Sequence, residues 1–264
     1  MATIVGEFFK SLLLSQNKLL CKTTDVALVS DFISSLKPVT TNHNLIRIGG
    51  EGDGGYLVPD DLDNINGCFS PGVCEVANFE LAFANRGVKC YLADYSVEAP
   101  PVQNKLFDFE KKYLGQEEDS IHITLENWVN RKAKNESDLI LQMDIEGAEY
   151  EVLFDTSRET LRKFRILVIE FHRLEAIIVK HGFDLINLSF RKLLKDFEIV
   201  HIHPNNAGKV TAYKNFVIPQ TMEFTFLRKD RVSSKQPTLI FPHKLDTPCA
   251  PNKADCPLPK CWYE

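Results

Sequence analysis

What most constrains this chain is a series of short apolar runs, each closed by a glycine or an acid and most followed by helical spacing. Gly67-Cys68-Phe69-Ser70-Pro71-Gly72 reads as a strand entering a glycine turn, and Phe79–Arg86 as a helix stopped by Gly87. Val88–Ala93 is a buried strand ending on Asp94, and Leu139–Met143 is one ending on Asp144, with helical spacing from Ala148. Arg165–Ile169 ends on Glu170-Phe171-His172 and leads into a long helix over Leu174–Asp196, with a break expected near Gly182. Between these, Phe107–Leu114 is predicted helical and Ile121–Leu125 extended before Trp128. Continuous apolar strands alternating with helices imply a parallel sheet covered on both faces.

The two ends of the chain read differently. Phe197–Ile202 and Phe224–Leu227 are strands with only a loop-like connection through Pro204, Asn205, Asn206, Gly208 and Pro219, so they can pair antiparallel and close the sheet. At the front, Met1–Leu20 suggests an amphipathic helix packing on the domain, and Val26–Leu36 a second helix ended by Lys37-Pro38. Leu45–Pro59 holds five glycines between two β-type pieces, as a hairpin or binding loop would. The expected organisation is a helical cap over residues 1–44, a main domain over 45–231, and a proline-containing tail over 232–264 packed on its surface.

Charge and cysteine usage exclude several classes. Acidic residues number 36 against 31 basic ones, giving −5, which argues against a nucleic-acid binder relying on bulk positive charge. No apolar run approaches the roughly 18 residues of a membrane span. Seven scattered cysteines in a chain of 264 residues point to reduced thiols and a cytoplasmic location.

Ligands of open α/β sheets bind beyond the carboxyl ends of the strands, which here carry Gly72, Asp94, Asp144, and Glu170 with His172. A glycine after one strand and an acid ending the next suit a nucleoside whose ribose hydroxyls the acid accepts. The turn SPGVCEVANFE has one glycine where a pyrophosphate-binding loop has three, so a nucleoside without phosphates, such as S-adenosylmethionine, fits better than NAD. The plain alternative is a turn glycine and a solvated strand-end acid.

LILQMDIEGAEYEVL (Leu139–Leu153), with ITLENWV (Ile123–Val129) and LVIEFH (Leu167–His172), closely resembles the FkbM-type family of S-adenosylmethionine-dependent methyltransferases. The resemblance spans about Arg47 to Leu227, and DGGY at Asp53–Tyr56 resembles a subgroup of that family. Ser70 departs from it, standing where an acid is common. The resemblance implies an α/β, class I methyltransferase (Rossmann-like) fold: a mostly parallel seven-stranded sheet with a terminal antiparallel strand pair, preceded by N-terminal helices. It implies O-methyl transfer to a hydroxyl of a sugar, glycan or glycosylated small molecule. Tyr56, Gly72, Glu75, Asp94, Tyr95, Asp119, Ser120 and Asp144 are the cofactor contacts it implies, with Gly72 facing the methionine moiety, Asp94 the ribose and Tyr95 the adenine.

A sugar hydroxyl needs a general base or a divalent cation to become nucleophilic near neutral pH. Asp144, Glu170 and His172 end adjacent predicted strands and could hold Mg²⁺ or Mn²⁺ against a vicinal diol. Without a metal, His172 is the expected base, and His203 could enter the same pocket. Each has a blander reading: Asp144 and Glu146 as helix caps, His172 and His203 as ordinary strand-end or loop residues, and Asp119 and Ser120 as a solvated loop. Cys249, Cys256 and Cys261 lack the spacing of a structural zinc site and read better as part of an exposed tail, while Cys68, Cys74 and Cys90 read as buried packing residues. Competing functions are a methyltransferase fold retired to a scaffold, an NAD-type oxidoreductase, and a nucleic-acid methyltransferase. The last lacks the Asn-Pro-Pro-Tyr type of motif.

Overall fold

The computed structural model describes residues 10, 11, 13–17 and 21–264. Most of the amphipathic helix expected over Met1–Leu20 therefore lies outside the described residues.

Seven strands form the central sheet: β1 (Cys68–Pro71), β2 (Cys90–Ala93), β3 (Phe107–Glu110), β4 (Leu139–Met143), β5 (Phe164–Phe171), β6 (Phe197–Pro204) and β7 (Met222–Arg228). Their order is β3-β2-β1-β4-β5-β7-β6. All neighbours are parallel except β7, which runs antiparallel to both β5 and β6. This is the class I methyltransferase arrangement expected from the sequence, with its closing antiparallel pair.

The apolar runs form strands because both faces are covered. In β4, Leu139, Leu141 and Met143 enter one core cluster and Ile140 the other. On one face pack α1 (Val26–Ser35), α3 (Leu125–Ala133), α4 (Glu149–Asp155) and α5 (Lys180–Leu193), through Phe32, Trp128, Leu153 and Phe190. The other face is covered by α2 (Asn78–Ala84) and by a hairpin of Leu45–Ile48 with Tyr56–Pro59, through Phe79, Phe83, Ile48 and Val58.

Three sequence expectations are corrected. Phe107–Leu114 is not a helix but β3 followed by a short strand at Tyr113–Gly115. FDFE alternates, with Phe107 and Phe109 packed inward, while Asp108 and Glu110 meet Lys132 of α3 at 2.9 and 3.1 Å. The helix expected over Leu174–Asp196 is a 3-10 turn (Leu174–Ile178) and then α5; the break expected near Gly182 falls at Val179, whose backbone is extended. The Pro204–Pro219 connection carries its own hairpin, Val210–Tyr213 with Phe216–Pro219. The C-terminal segment pairs Lys235–Pro237 with Val39–Thr41 and buries Trp262, whose indole N–H donates to the Val217 carbonyl at 2.9 Å. Among the described residues no helix is long and apolar enough to cross a membrane.

Candidate active site

At the carboxyl edge of the sheet, β1 turns at Gly72 with φ +87°. A Cβ there would lie 1.6 Å from the Asp144 carbonyl oxygen, so glycine lets the ends of β1 and β4 abut. Beside this junction is a pocket of about 200 Å³ whose lining includes Asp53, Tyr56, Gly72, Glu75, Glu80 and Asp144. Four acidic side chains line it and, among the described residues, no lysine, arginine or histidine does. Such a wall favours a cationic ligand and repels phosphate.

Burial raises the acids of this edge that have little counter-charge beside them. Asp144 is pushed up to about 7, by desolvation first and then by Glu146, Glu149 and Asp53, against the pull of His172. Its Oδ1 is buried without a hydrogen-bond partner, and His172 Nε2 stands 3.8 Å away. Glu170 is raised further, by desolvation and by Asp144 and Glu223. It accepts a hydrogen bond from Asn205 at 2.7 Å and lies 3.8 Å from His172 Nε2. Desolvation pulls His172 down, but Glu149, Asp144 and Glu170 together outweigh it and hold the imidazole at about 9. The neighbouring acids thus favour the protonated form of the His172 imidazole, which stands beside the unpartnered Asp144 Oδ1.

Glu149 is the residue the sequence reading left without a role, although it closes the DIEGAE motif. It is fully buried, accepts from the backbone N–H groups of Ile145 and Gly147 at 3.2 and 3.0 Å, and sits 3.1 Å from His172 Nδ1. One carboxylate thus shapes the loop after β4 and orients the histidine. Asp144, Glu149 and His172 bring donor atoms within 4.8 Å of one another, with Glu149 in the position expected of Glu170. Glu149 Oε1 already faces the Ile145 and Gly147 N–H groups and His172 Nδ1, which leaves Oε2, 3.5 Å from the His172 backbone N, as its oxygen for Mg²⁺ or Mn²⁺.

A second network backs the pocket. Ser70 Oγ contacts the Glu80 carboxylate and lies 2.6 Å from Gln142 Oε1, while Gln142 Nε2 donates to the Tyr56 hydroxyl at 3.3 Å. One hydroxyl proton cannot serve two acceptors, so a protonated Glu80 completes the network by donating to Ser70. Burial raises Glu80 to about 7, in keeping with that. Ser70 thus has a carboxyl group beside it, that of Glu80 on α2. Polar residues inside otherwise apolar strands, Gln142 in LILQM and Glu223 in MEFTFL, were the readable signal of these groups.

The remaining expected contacts lie apart from the pocket wall. Asp94 is buried, its carboxylate accepting from Cys74 N–H at 2.9 Å and from Ser96 N–H and Oγ–H at 2.7 Å. It holds the β1–α2 loop closed over itself. Cys74 is exposed at φ +41°, not buried. The Tyr95 ring is partly exposed, 5.2 Å from the Tyr113 ring. Asp119 accepts from the N–H groups of Ile121 and His122 and lies 3.0 Å from His122 Nδ1; that side-chain bond comes first among the causes that lower it to about 2. Ser120, beside it, gives its carbonyl to Lys112 Nζ at 2.7 Å. His203, on β6, is buried beside Glu223 of β7, to which it is paired in register, and does not line the pocket.

Residues 73–196 match the family model described as Methyltransferase FkbM domain, so the resemblance carried by DIEGAE is borne out over that span. Among solved structures, an rRNA methylase from Streptococcus thermophilus is similar over 78% of this chain and 96% of its own, at 9% identity and a TM-score of 0.32. No curated protein sequence matches the chain.

Proposed function

We propose that this protein transfers a methyl group from S-adenosylmethionine to a hydroxyl oxygen of a sugar, a glycan or a glycosylated small molecule. The observation that carries the reading is the pocket at the β1–β4 junction, walled by Asp53, Glu75, Glu80 and Asp144 with no basic side chain. A sulfonium and an α-ammonium are welcome in such a wall, and a dinucleotide's pyrophosphate is not. The orphaned Asp144 Oδ1 supplies an acceptor aimed at a ligand or its partner.

S-Adenosylmethionine supplies an electrophilic methyl carbon on a positively charged sulfur. The acceptor oxygen bonds to that carbon as the carbon–sulfur bond breaks, its electron pair going to sulfur and the hydroxyl proton to Asp144. The chain's part is to align the oxygen and take the proton. His172, oriented by Glu149, keeps positive charge beside Asp144 and so stabilises its ionised, proton-accepting form. A divalent cation, if required, would be held by Asp144 and His172 with Glu149 or Glu170. We also propose a cytoplasmic location. It rests on seven scattered cysteines in a chain large enough to need no stapling.

Two observations favour a second reading, a retired domain that binds without turnover. Asp94 is already engaged by its own loop, and a pocket of about 200 Å³ is below the roughly 300–1,000 Å³ of common ligand sites. The test is methyl transfer from labelled S-adenosylmethionine to a panel of sugars and glycosides. Acceptor-dependent transfer that falls in the Asp144→Asn variant supports catalysis. Ligand binding without transfer to any hydroxyl in the panel would point to the retired domain.

A further inference from the structure

A second group of ligating side chains lies farther along the same edge. The antiparallel register of β6 and β7 sets His203 opposite Glu223. The C-terminal segment brings Cys249 onto them, its thiol donating to Glu223 Oε1 at 2.9 Å. All three are buried, at 4%, 6% and 8% exposure. They offer one nitrogen, one oxygen and one sulfur within 4.8 Å of one another. His203 Nε2 is buried without a hydrogen-bond partner, and Asp255 Oδ1 stands 3.5 Å from it.

The segment that delivers the thiol is held rigidly. Asn206 accepts from Ala250 N–H at 2.8 Å and donates to the carbonyls of Ala250, Lys253 and Ala254. His201 Nε2 lies 2.8 Å from Asp246 Oδ1 a few residues earlier. Cys249 is thus positioned before any ion arrives, which is what a closed site requires.

We propose that His203, Glu223 and Cys249 form a site for a Zn²⁺-class ion that ties the C-terminal segment to the carboxyl edge of the sheet. An imidazole and a thiolate select a borderline-soft ion over Mg²⁺ or Ca²⁺, which favour all-oxygen sites. Asp255 is the candidate for the fourth position. As the metal–sulfur bond forms, Cys249 loses its proton to solvent, so binding releases protons and strengthens as pH rises. The site shares no residue with the Asp144, Glu149 and His172 group, although Glu223 pairs in register with Glu170, and it stands whether or not the chain methylates hydroxyls.

Co²⁺ is the probe, because a thiolate ligand gives it a near-ultraviolet charge-transfer band that oxygen and nitrogen ligands do not. Titrating the full chain should produce that band, saturating at one equivalent and abolished by added Zn²⁺. Cys249→Ser, a one-atom exchange, should remove it. Glu223→Gln and His203→Ala should each weaken Co²⁺ affinity at least about tenfold, and Cys256→Ser should leave it intact. Far-ultraviolet circular dichroism verifies that each variant is folded. No band at saturating Co²⁺, or a band that survives Cys249→Ser, overturns the site. Zn²⁺ should also slow proteolysis within 232–264 in the parent chain, and equal cleavage with and without Zn²⁺ overturns the tether.

Discussion

The two ends of the central sheet carry the same kinds of residue and treat them in opposite ways. At the amino end, Arg165 is almost fully buried and donates to Asp138 at 3.1 Å and to the carbonyls of Asp61 and Asp63 at 2.9 and 2.8 Å. Arg228 adds a second donor to Asp138 at 2.8 Å, and Arg231 grips Asp61 with two bonds of 2.8 and 2.7 Å. Desolvation pushes Asp138 up, but the two guanidinium groups win and hold it below the ordinary carboxylate value. At the carboxyl end, among the described residues, Asp144, Glu170 and Glu223 form ion pairs only with His172 and His203, and Asp144 and Glu170 are raised. Charges that serve the fold are answered by arginine. Acids left without arginine weaken the fold, and their concentration along the carboxyl edge of the sheet marks that edge as the functional one.

That contrast can be broken first at Asp144. Asp144→Asn should lower methyl transfer by roughly 10²- to 10⁴-fold, while the denaturant midpoint stays level or rises. Unaltered turnover would move the proton acceptor elsewhere. The opposite profile is expected at the other end. Arg165→Ala should cost about 3–5 kcal/mol in urea unfolding by stranding buried carboxylates, with ligand affinity preserved in the folded fraction. A loss under about 1 kcal/mol would show that the amino-end network is not the anchor its geometry suggests.

Glu80 sharpens the comparison through pH. Folded, it titrates at about 7 against an ordinary 4.5, so between those values folding takes up a proton and stability falls as pH rises. Its contribution is complete below pH 4.5 and gone above about 7. Glu80→Gln keeps the donor to Ser70 and removes this slope. It should therefore match the parent at pH 4 and exceed it by up to about 3 kcal/mol at pH 8. Parallel stability curves for the two proteins would place the proton elsewhere. The smallest effect belongs to exposed Glu75 on the pocket rim: Glu75→Gln should weaken S-adenosylmethionine binding only about two- to fivefold and flatten its dependence on salt.

Much of this was legible because burial on both faces leaves a plain mark. Val88–Ala93 and Leu139–Met143 could only be interior strands, and their terminal acids fall at the carboxyl edge for that reason. FDFE misled because its polar half is satisfied by Lys132 and Arg131, from a helix some 20 residues away in sequence. Asp94 was visible as a strand-end acid, but its engagement by the Cys74 N–H depends on a loop backbone that composition does not specify. Glu149 was in plain view within DIEGAE, yet its partner His172 comes from another strand. His203, Glu223 and Cys249 meet only through antiparallel register and a long return of the tail, neither of which periodicity encodes.

The most direct test is calorimetric titration of the intact protein with S-adenosylmethionine and, separately, with NAD⁺. Saturable heat from the sulfonium and none from the dinucleotide is the expected result. Saturation by NAD⁺, with no heat from S-adenosylmethionine at millimolar concentration, would contradict the assignment of the acidic pocket.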